Sequence, residues 1–157
     1  MKRTRQLVNI SPTLLKVPTS LKNKFKHIRL FIDIIHVNRL PFLHAISEDL
    51  KFRTTSFLLS EIKELLTDTL SNFVVVYRKG EFIVKYIDRD AQFECVKNMM
   101  PDIDADICDV EDHINIVERS IQIVKQMIRC MVQSLLFRWL PRVMIRRLAA
   151  AATRNLN

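Results

Sequence analysis

Residues 111–130, EDHINIVERSIQIVKQMIRC, decide the fold, because they have the apolar spacing of one long amphipathic helix. Apolar residues recur here at steps of three and four, which keeps their side chains on one helical face. Including two that continue the series, they are Val117, Ile121, Val124, Ile128, Met131 and Leu135. We expect this face to pack against a hydrophobic core.

A second stripe, of polar residues, follows the same steps on a neighbouring face of that helix. Its members are Asn115, Glu118, Gln122, Lys125 and Arg129. One carboxylate therefore stands ahead of a row of amides and cations. The stripe predicts an outward face that contacts an anionic partner.

The charges of the chain are divided along its length. Residues 1–32 and 119–157 each hold eight Lys or Arg and no acid, whereas residues 33–118 hold all 17 acids and the remaining nine of the 25 cations. Basic segments suit phosphate backbones, and clustered carboxylates suit a hard divalent cation. The alternative interpretation is an ordinary solvated surface with a basic tail.

Length and composition limit the protein class. With 157 residues, 48% of them hydrophobic, the chain predicts one domain with a core of its own. A run of about 18 apolar residues and a secretory leader are both lacking, so we expect neither membrane insertion nor secretion. The three cysteines, Cys95, Cys108 and Cys130, have no metal-binding spacing and are predicted to be buried, reduced thiols of an intracellular protein.

Five apolar runs predict strands. Residues 27–37, HIRLFIDIIHV, are apolar on both parities, which is typical of a strand buried on both faces. Asn38-Arg39 predicts a hairpin turn into a second strand at 40–47. The other strands are predicted at 52–58, 81–86 and 106–110.

Helices are predicted between and after these strands. Ser60 is the predicted N-cap of a helix that ends before Gly80, the only glycine and a candidate left-handed stop. A short helix is predicted at 91–99 and a basic helix at 142–152, after Pro141. Residues 1–24 show no sustained hydrophobic periodicity, which predicts an extended basic arm. The order of elements indicates a mixed α/β sheet covered by helices.

Three acids stand in or beside these apolar elements. Asp33 lies within the first strand, Asp88 and Asp90 follow the fourth, and Glu118 begins the long helix. Cleavage of a phosphodiester with two metal ions needs about three carboxylates that converge from separate rigid elements. A buried acid such as Asp33 must be paired, protonated or bound to metal.

The residues around these acids resemble the catalytic core of retroelement integrases, acidic-triad (DDE) enzymes of the RNase-H-like polynucleotidyl transferases. The resemblance covers about residues 8–147. It is carried by FIDIIHVNRLPFLHAIS around Asp33, by DRDAQFECVK around Asp90 and by the 111–130 block around Glu118. The interval from Asp90 to Glu118 is tighter than is usual in the family.

The resemblance implies an α/β, RNase-H-like fold with a mixed five-stranded sheet flanked by helices, formed by a core domain at 25–153 that follows the arm at 1–24. It implies Asp33, Asp90 and Glu118 as catalytic ligands of two Mg²⁺ or Mn²⁺ ions, with Asp88 as the alternate to Asp90. Gln122, Lys125 and Arg129 would contact DNA.

The activity that this family membership implies is metal-dependent 3′-end processing and strand transfer of DNA during transposition. It also implies a homo-oligomer and a location in the nucleus, without membrane association.

Two alternative functions remain open at this point. One is an inactive or truncated integrase-derived module that only binds nucleic acid or self-associates. The other assigns the basic helix around 138–152 to a membrane surface or a partner protein. Trp139 is predicted to be partly buried, with a role as partner-facing anchor as the alternative.

Overall fold

A computed structural model describes residues 17–89, 93, 103–107, 114–136 and 139–157 of the chain. The elements, in chain order, are α1 (Thr19–Lys24), β1 (His27–Val37), β2 (Leu40–Ser47), β3 (Arg53–Phe57), α2 (Lys63–Lys79), β4 (Ile83–Arg89), β5 (Asp104–Ile107), α3 (Ile114–Gln133) and α4 (Arg142–Asn155). The predicted mixed α/β class is confirmed. The helix predicted at 91–99 and the end of the last predicted strand, 108–110, lie outside the described residues.

The strands form one mixed sheet in the order β3-β2-β1-β4-β5. Strands β1, β2 and β3 are antiparallel neighbours, as short connections allow. Strand β4 joins β1 in parallel after the crossover helix α2, and β5 is parallel to β4. Strand β1 therefore lies at the centre of the sheet.

Strand β1 is buried on both faces, as its two-parity apolar pattern predicts. Ile28, Leu30 and Ile32 pack into a core beneath α2. Phe31 and Ile35 point to the opposite face, where they pack beneath α3 and α4. Two helical layers thus enclose the sheet, and residues of odd number on β1 face the layer that holds α3.

The apolar face of α3 packs as predicted. Val117, Ile121, Val124 and Ile128 are buried in the second core, together with residues of α4. Met131 is half-buried, and Leu135 lies beyond the end of the helix. Cys130 is exposed, so its predicted burial is wrong; it lies on the solvent side of α3, outside the apolar series.

Helix α2 ends at Lys79, before Gly80 as predicted, but its start and the conformation of Gly80 differ from the prediction. The helix starts after Ile62 without a side-chain cap, so Ser60 is not its N-cap. At the other end, Gly80 has φ −80°, and the left-handed residue is Glu81 with φ 67°. An added Cβ at position 80 would lie 3.0 Å from a ring carbon of Phe82, so a larger residue there would require that ring to shift.

The predicted arm at 1–24 contains a helix, α1, in its described part. Pro18 precedes the helix with φ −57°, and Val17 and Phe25 on either side pack against the core beneath α2. Lys22 forms an ion pair with Glu81 at the start of β4. The pattern missed this helix because six residues are too few to establish a period.

The end of the chain also belongs to the folded unit. Helix α4 extends to Asn155, three residues beyond its predicted end at 152. The side chain of Asn157 bonds both the N–H and the C=O of Arg53, each at 2.8 Å, and so pairs with edge strand β3. Within the described ranges, none of the helices has the length and hydropathy of a membrane span.

The β1–β2 turn yields a prediction of stability. Asn38 and Arg39 have φ values of 49° and 64°, the left-handed values of a two-residue hairpin loop that favours Asn-Gly. Arg39→Gly should raise the free energy of unfolding by about 0.5–1 kcal/mol, because an L-residue is strained in this conformation. Denaturant unfolding measures the change.

Arg39→Val is the matched control for the turn. It removes the same charge but places a β-branched residue at positive φ, so it should lower the free energy of unfolding. Equal stabilities of the Gly and Val variants would contradict the conformational explanation.

Candidate active site

Asp33 lies in the middle of β1 on the face that α3 and α4 cover. It is half-buried, and its Oδ1 accepts a hydrogen bond from the N–H of Ile34 at 2.6 Å. Its partner in the antiparallel register is His44 on β2. The sheet therefore holds this carboxylate in the layer beneath the long helix, as predicted from its place in an apolar strand.

Asp88 reaches the same face from the neighbouring strand. In the parallel register it lies opposite Phe31, two residues before Asp33. Asp33 and Asp88 are therefore on neighbouring strands and are offset by two residues along the strand direction. This corresponds to roughly 8 Å between their Cα atoms. Asp33 and Asp88 therefore share one region of the sheet.

Arg29 compensates the charge of Asp88. The Asp88 side chain is only 4% exposed, and its Oδ2 lies 3.5 Å from Nε of Arg29. The guanidinium of Arg29 also lies over the ring of Tyr86, 5.2 Å from its centroid. This ion pair offsets part of the cost of burying the Asp88 carboxylate.

The predicted polar stripe follows the outer flank of α3 from Glu118 to Arg129, and the side chain of Asn115 lies outside the described part of the chain. Glu118, Gln122 and Arg129 are exposed, and Lys125 is half-buried. The structure thus places one aspartate beneath this helix and a row of polar and cationic side chains on its outer flank.

The described residues do not complete a three-ligand metal site. Carboxylate oxygens suit Mg²⁺ and Mn²⁺, and the half-buried side chain of Asp33 carries oxygens of this type. Among the described residues, no three His, Cys, Asp or Glu side chains stand close enough to hold one cation, so Asp33, Asp88 and Glu118 form no such group by themselves. Asp90, the preferred second aspartate, lies outside the described residues.

A pocket of about 690 Å³ opens beside the polar stripe. It lies between the second half of α3, the β1–β2 turn and the first half of α4. Lys125 and Arg129 line one side, and His36 and Asn38 line another. A pocket of this volume admits a single nucleotide or a side chain. Its cations favour an anionic occupant.

Trp139 lines the pocket from the α3–α4 connection and is 88% exposed. The expectation of partial burial is therefore wrong. The sequence shows that Trp139 has arginines as neighbours, but it does not show how far the side chain lies from the core. The position of the α3–α4 connection decides that exposure.

A buried polar junction joins α3 to the sheet a short distance from Asp33. His44 is fully buried, with Nε2 2.8 Å from Oγ of Ser120 on α3 and Nδ1 2.8 Å from Oγ1 of Thr55 on β3. Arg53 donates from Nε to the same Ser120 oxygen at 3.1 Å. Thr153 on α4 donates to Thr55 at 2.8 Å. We call these five residues the His44 junction.

The imidazole in this junction is neutral. Burial, with a smaller contribution from the positive charge of Arg53, lowers the pKa of His44 from 6.5 to about 3. A neutral ring can donate from one nitrogen and accept at the other, which satisfies both hydroxyl neighbours.

Sequence reasoning did not identify the His44 junction. Its members lie on four elements, and the bond between His44 and Ser120 spans 76 positions of the chain. The one available signal was a histidine within the apolar run LPFLHAIS, since a buried imidazole requires hydrogen-bond partners.

The lowered pKa of His44 predicts how stability depends on pH. Between pH 6.5 and about 3 the unfolded chain binds a proton at this residue that the folded chain does not. The free energy of unfolding should therefore fall as the pH falls, by up to about 1.4 kcal/mol per pH unit from this group. Denaturant unfolding between pH 7 and pH 4 measures the slope.

His44→Gln is the matched variant for the pH dependence. Glutamine retains a donor and an acceptor for the two hydroxyls but does not titrate, so its stability should fall less steeply below pH 6.5. Parallel curves for wild type and variant would rule out His44 as the source of the slope.

Comparison with known proteins gives a structural similarity without a sequence match. No family model matches the chain, and no curated protein matches it in sequence. Among solved structures, it is similar to the catalytic core domain of BIV integrase in crystal form I, with a TM-score of 0.66 and 13% sequence identity. The match covers 82% of this chain and 82% of that chain. At this identity the similarity establishes an integrase-core-like fold.

Proposed function

We propose that the chain is the catalytic core of a retroelement integrase, which trims the 3′ ends of its DNA and transfers them into target DNA. The observation that carries the proposal is the position of Asp33 on the central strand, beneath a helix with a polar stripe, in a fold like that of an integrase core. A homo-oligomer in the nucleus follows from the same proposal.

Asp33, Asp90 and Glu118 are the proposed catalytic acids, and they would hold two Mg²⁺ or Mn²⁺ ions. These ions, when bound, stabilise the entering and leaving oxygens of an in-line displacement at phosphorus. The ion pair between Asp88 and Arg29 supports Asp90 as the second ligand, because the charge of Asp88 is already compensated. Asp88 then has a structural role.

The polar stripe and the pocket are the proposed path of the DNA. Lys125 lies seven residues after Glu118, which corresponds to about 10 Å along the helix axis. Arg129 follows one turn later and lines the pocket with Lys125. Phosphates of a strand are spaced by about 3.4 Å along B-form DNA, so Lys125 would meet the backbone about three nucleotides from the reacting phosphate. Gln122 lies between Glu118 and Lys125 and would contact one of the two intervening nucleotides.

Substitution of the acids tests the reaction. Asp33→Asn, Asp90→Asn and Glu118→Gln should each lower strand transfer on short DNA duplexes at least about 100-fold with Mg²⁺ or Mn²⁺, since each removes an anionic ligand of the proposed metal ions. Glu64→Gln, on exposed α2 behind the opposite face of the sheet, is the matched control and should keep full activity.

Asp88→Asn separates the two candidate aspartates. It leaves Arg29 beside a neutral partner and should lower the free energy of unfolding by roughly 1–3 kcal/mol, with activity retained by the folded fraction. Loss of activity at unchanged stability would instead make Asp88 the ligand. DNA that is bound but never cut by the wild type would favour the inactive module.

The salt dependence of DNA binding tests the proposed path. Lys125→Gln and Arg129→Gln should each reduce the slope of log K against log salt by about one phosphate contact, roughly 0.9. Lys63→Gln, which removes an exposed charge on α2, is the control and should leave the slope unchanged. If the Lys125 and Arg129 variants have the same salt-dependence slope as the wild type, the DNA does not follow the polar stripe.

A further inference from the structure

Helix α3 meets the sheet through two kinds of contact. Val117, Ile121, Val124 and Ile128 form an apolar seam. Aliphatic contacts are non-directional, so a seam of this kind sets the distance between a helix and a sheet more firmly than the rotation of the helix about its axis. A directional contact is needed to fix that rotation.

Ser120 provides the directional contact. It is 2% exposed and lies on the α3 flank that faces β2 and β3. Its Oγ is 2.8 Å from Nε2 of His44 and 3.1 Å from Nε of Arg53, so one hydroxyl bonds two strands. Arg53 is held in turn through its Nη1, which donates to the C=O groups of Lys51 and Leu156 at 3.1 Å.

Glu118 lies on the opposite flank of the same turn. It lies two positions before Ser120, and at about 100° per residue the two side chains project from nearly opposite sides of the helix. Rotation of α3 that moves Ser120 must therefore move Glu118 by the same angle. His44 is also the cross-strand neighbour of Asp33, so the strand pair that positions Asp33 also anchors Ser120.

We infer that Ser120, held by His44 and Arg53, is a positioning residue that fixes the rotation of α3 and thereby the placement of Glu118 relative to Asp33. The catalytic part of this inference rests on the proposed function. The rotational part rests on the hydrogen bonds alone. Ser120 does not touch the reacting atoms in this role.

Ser120→Ala in the full chain tests the inference with two measurements. It removes both bonds on the α3 flank, so amide hydrogen exchange over residues 114–122 without DNA should become faster than in the wild type. In strand transfer with Mn²⁺, kcat should fall roughly tenfold or more while KM for DNA stays unchanged, because the acid is misplaced and the DNA path is intact.

Thr153→Val is the matched control. It is nearly isosteric and removes the bond from Thr153 to Thr55 in the same junction, but on α4 and not on α3. Its melting temperature should fall like that of Ser120→Ala, while exchange over residues 114–122 and kcat should equal those of the wild type. If Ser120→Ala does not fold, Ser120→Cys carries the same test, because a thiol of similar size is a weak hydrogen-bond donor and acceptor and leaves Arg53 and its other bonds in place.

The outcomes separate the inference from the proposed function. Unchanged exchange over residues 114–122 in Ser120→Ala, or equal changes of exchange and kcat in Ser120→Ala and Thr153→Val, would overturn the positioning role. If the wild-type protein shows no strand transfer, the proposed function is refuted. Faster amide exchange in Ser120→Ala but not in Thr153→Val would then still identify Ser120 as the residue that fixes α3.

Discussion

The burial of β1 on both faces is the constraint on which the rest of the structure depends. Ile28, Leu30 and Ile32 pack beneath α2, and Phe31 and Ile35 pack beneath α3 and α4. A polar residue at position 33 is therefore held inside a layered structure, and its neighbours must accommodate a charge. The region around Asp33 is polar for this reason: Asp88, Arg29 and His44 lie on the same face of the sheet.

Helix α3 divides its surface between three tasks. Its apolar seam closes the second core, Ser120 on one flank bonds the sheet, and the stripe from Glu118 to Arg129 faces outward. The same helix that completes the core can in this way present cations beside an acid-bearing strand. The basic pocket at the end of the stripe continues that surface toward α4 and Trp139.

The sequence predicted elements where the local pattern was strong enough to decide. The bounds 27–37 and 40–47 match β1 and β2, and the inward series of α3 is buried at four positions. It failed where the packing of elements decided. The predicted partial burial of Trp139 is wrong, because the connection between α3 and α4 leaves that side chain 88% exposed.

For the candidate site, the sequence by itself determined that Asp33 would lie in a buried strand and that the stripe of Glu118, Lys125 and Arg129 would share an outward flank. The period of two residues in a strand and of 3.6 residues in a helix determines which side chains share a face, and it can be recognised within a short segment. Only the tertiary structure decided that Arg29 compensates Asp88 and that His44 meets Ser120. Those contacts join residues far apart in the chain, so they exist only once the sheet register and the packing of α3 bring their elements together.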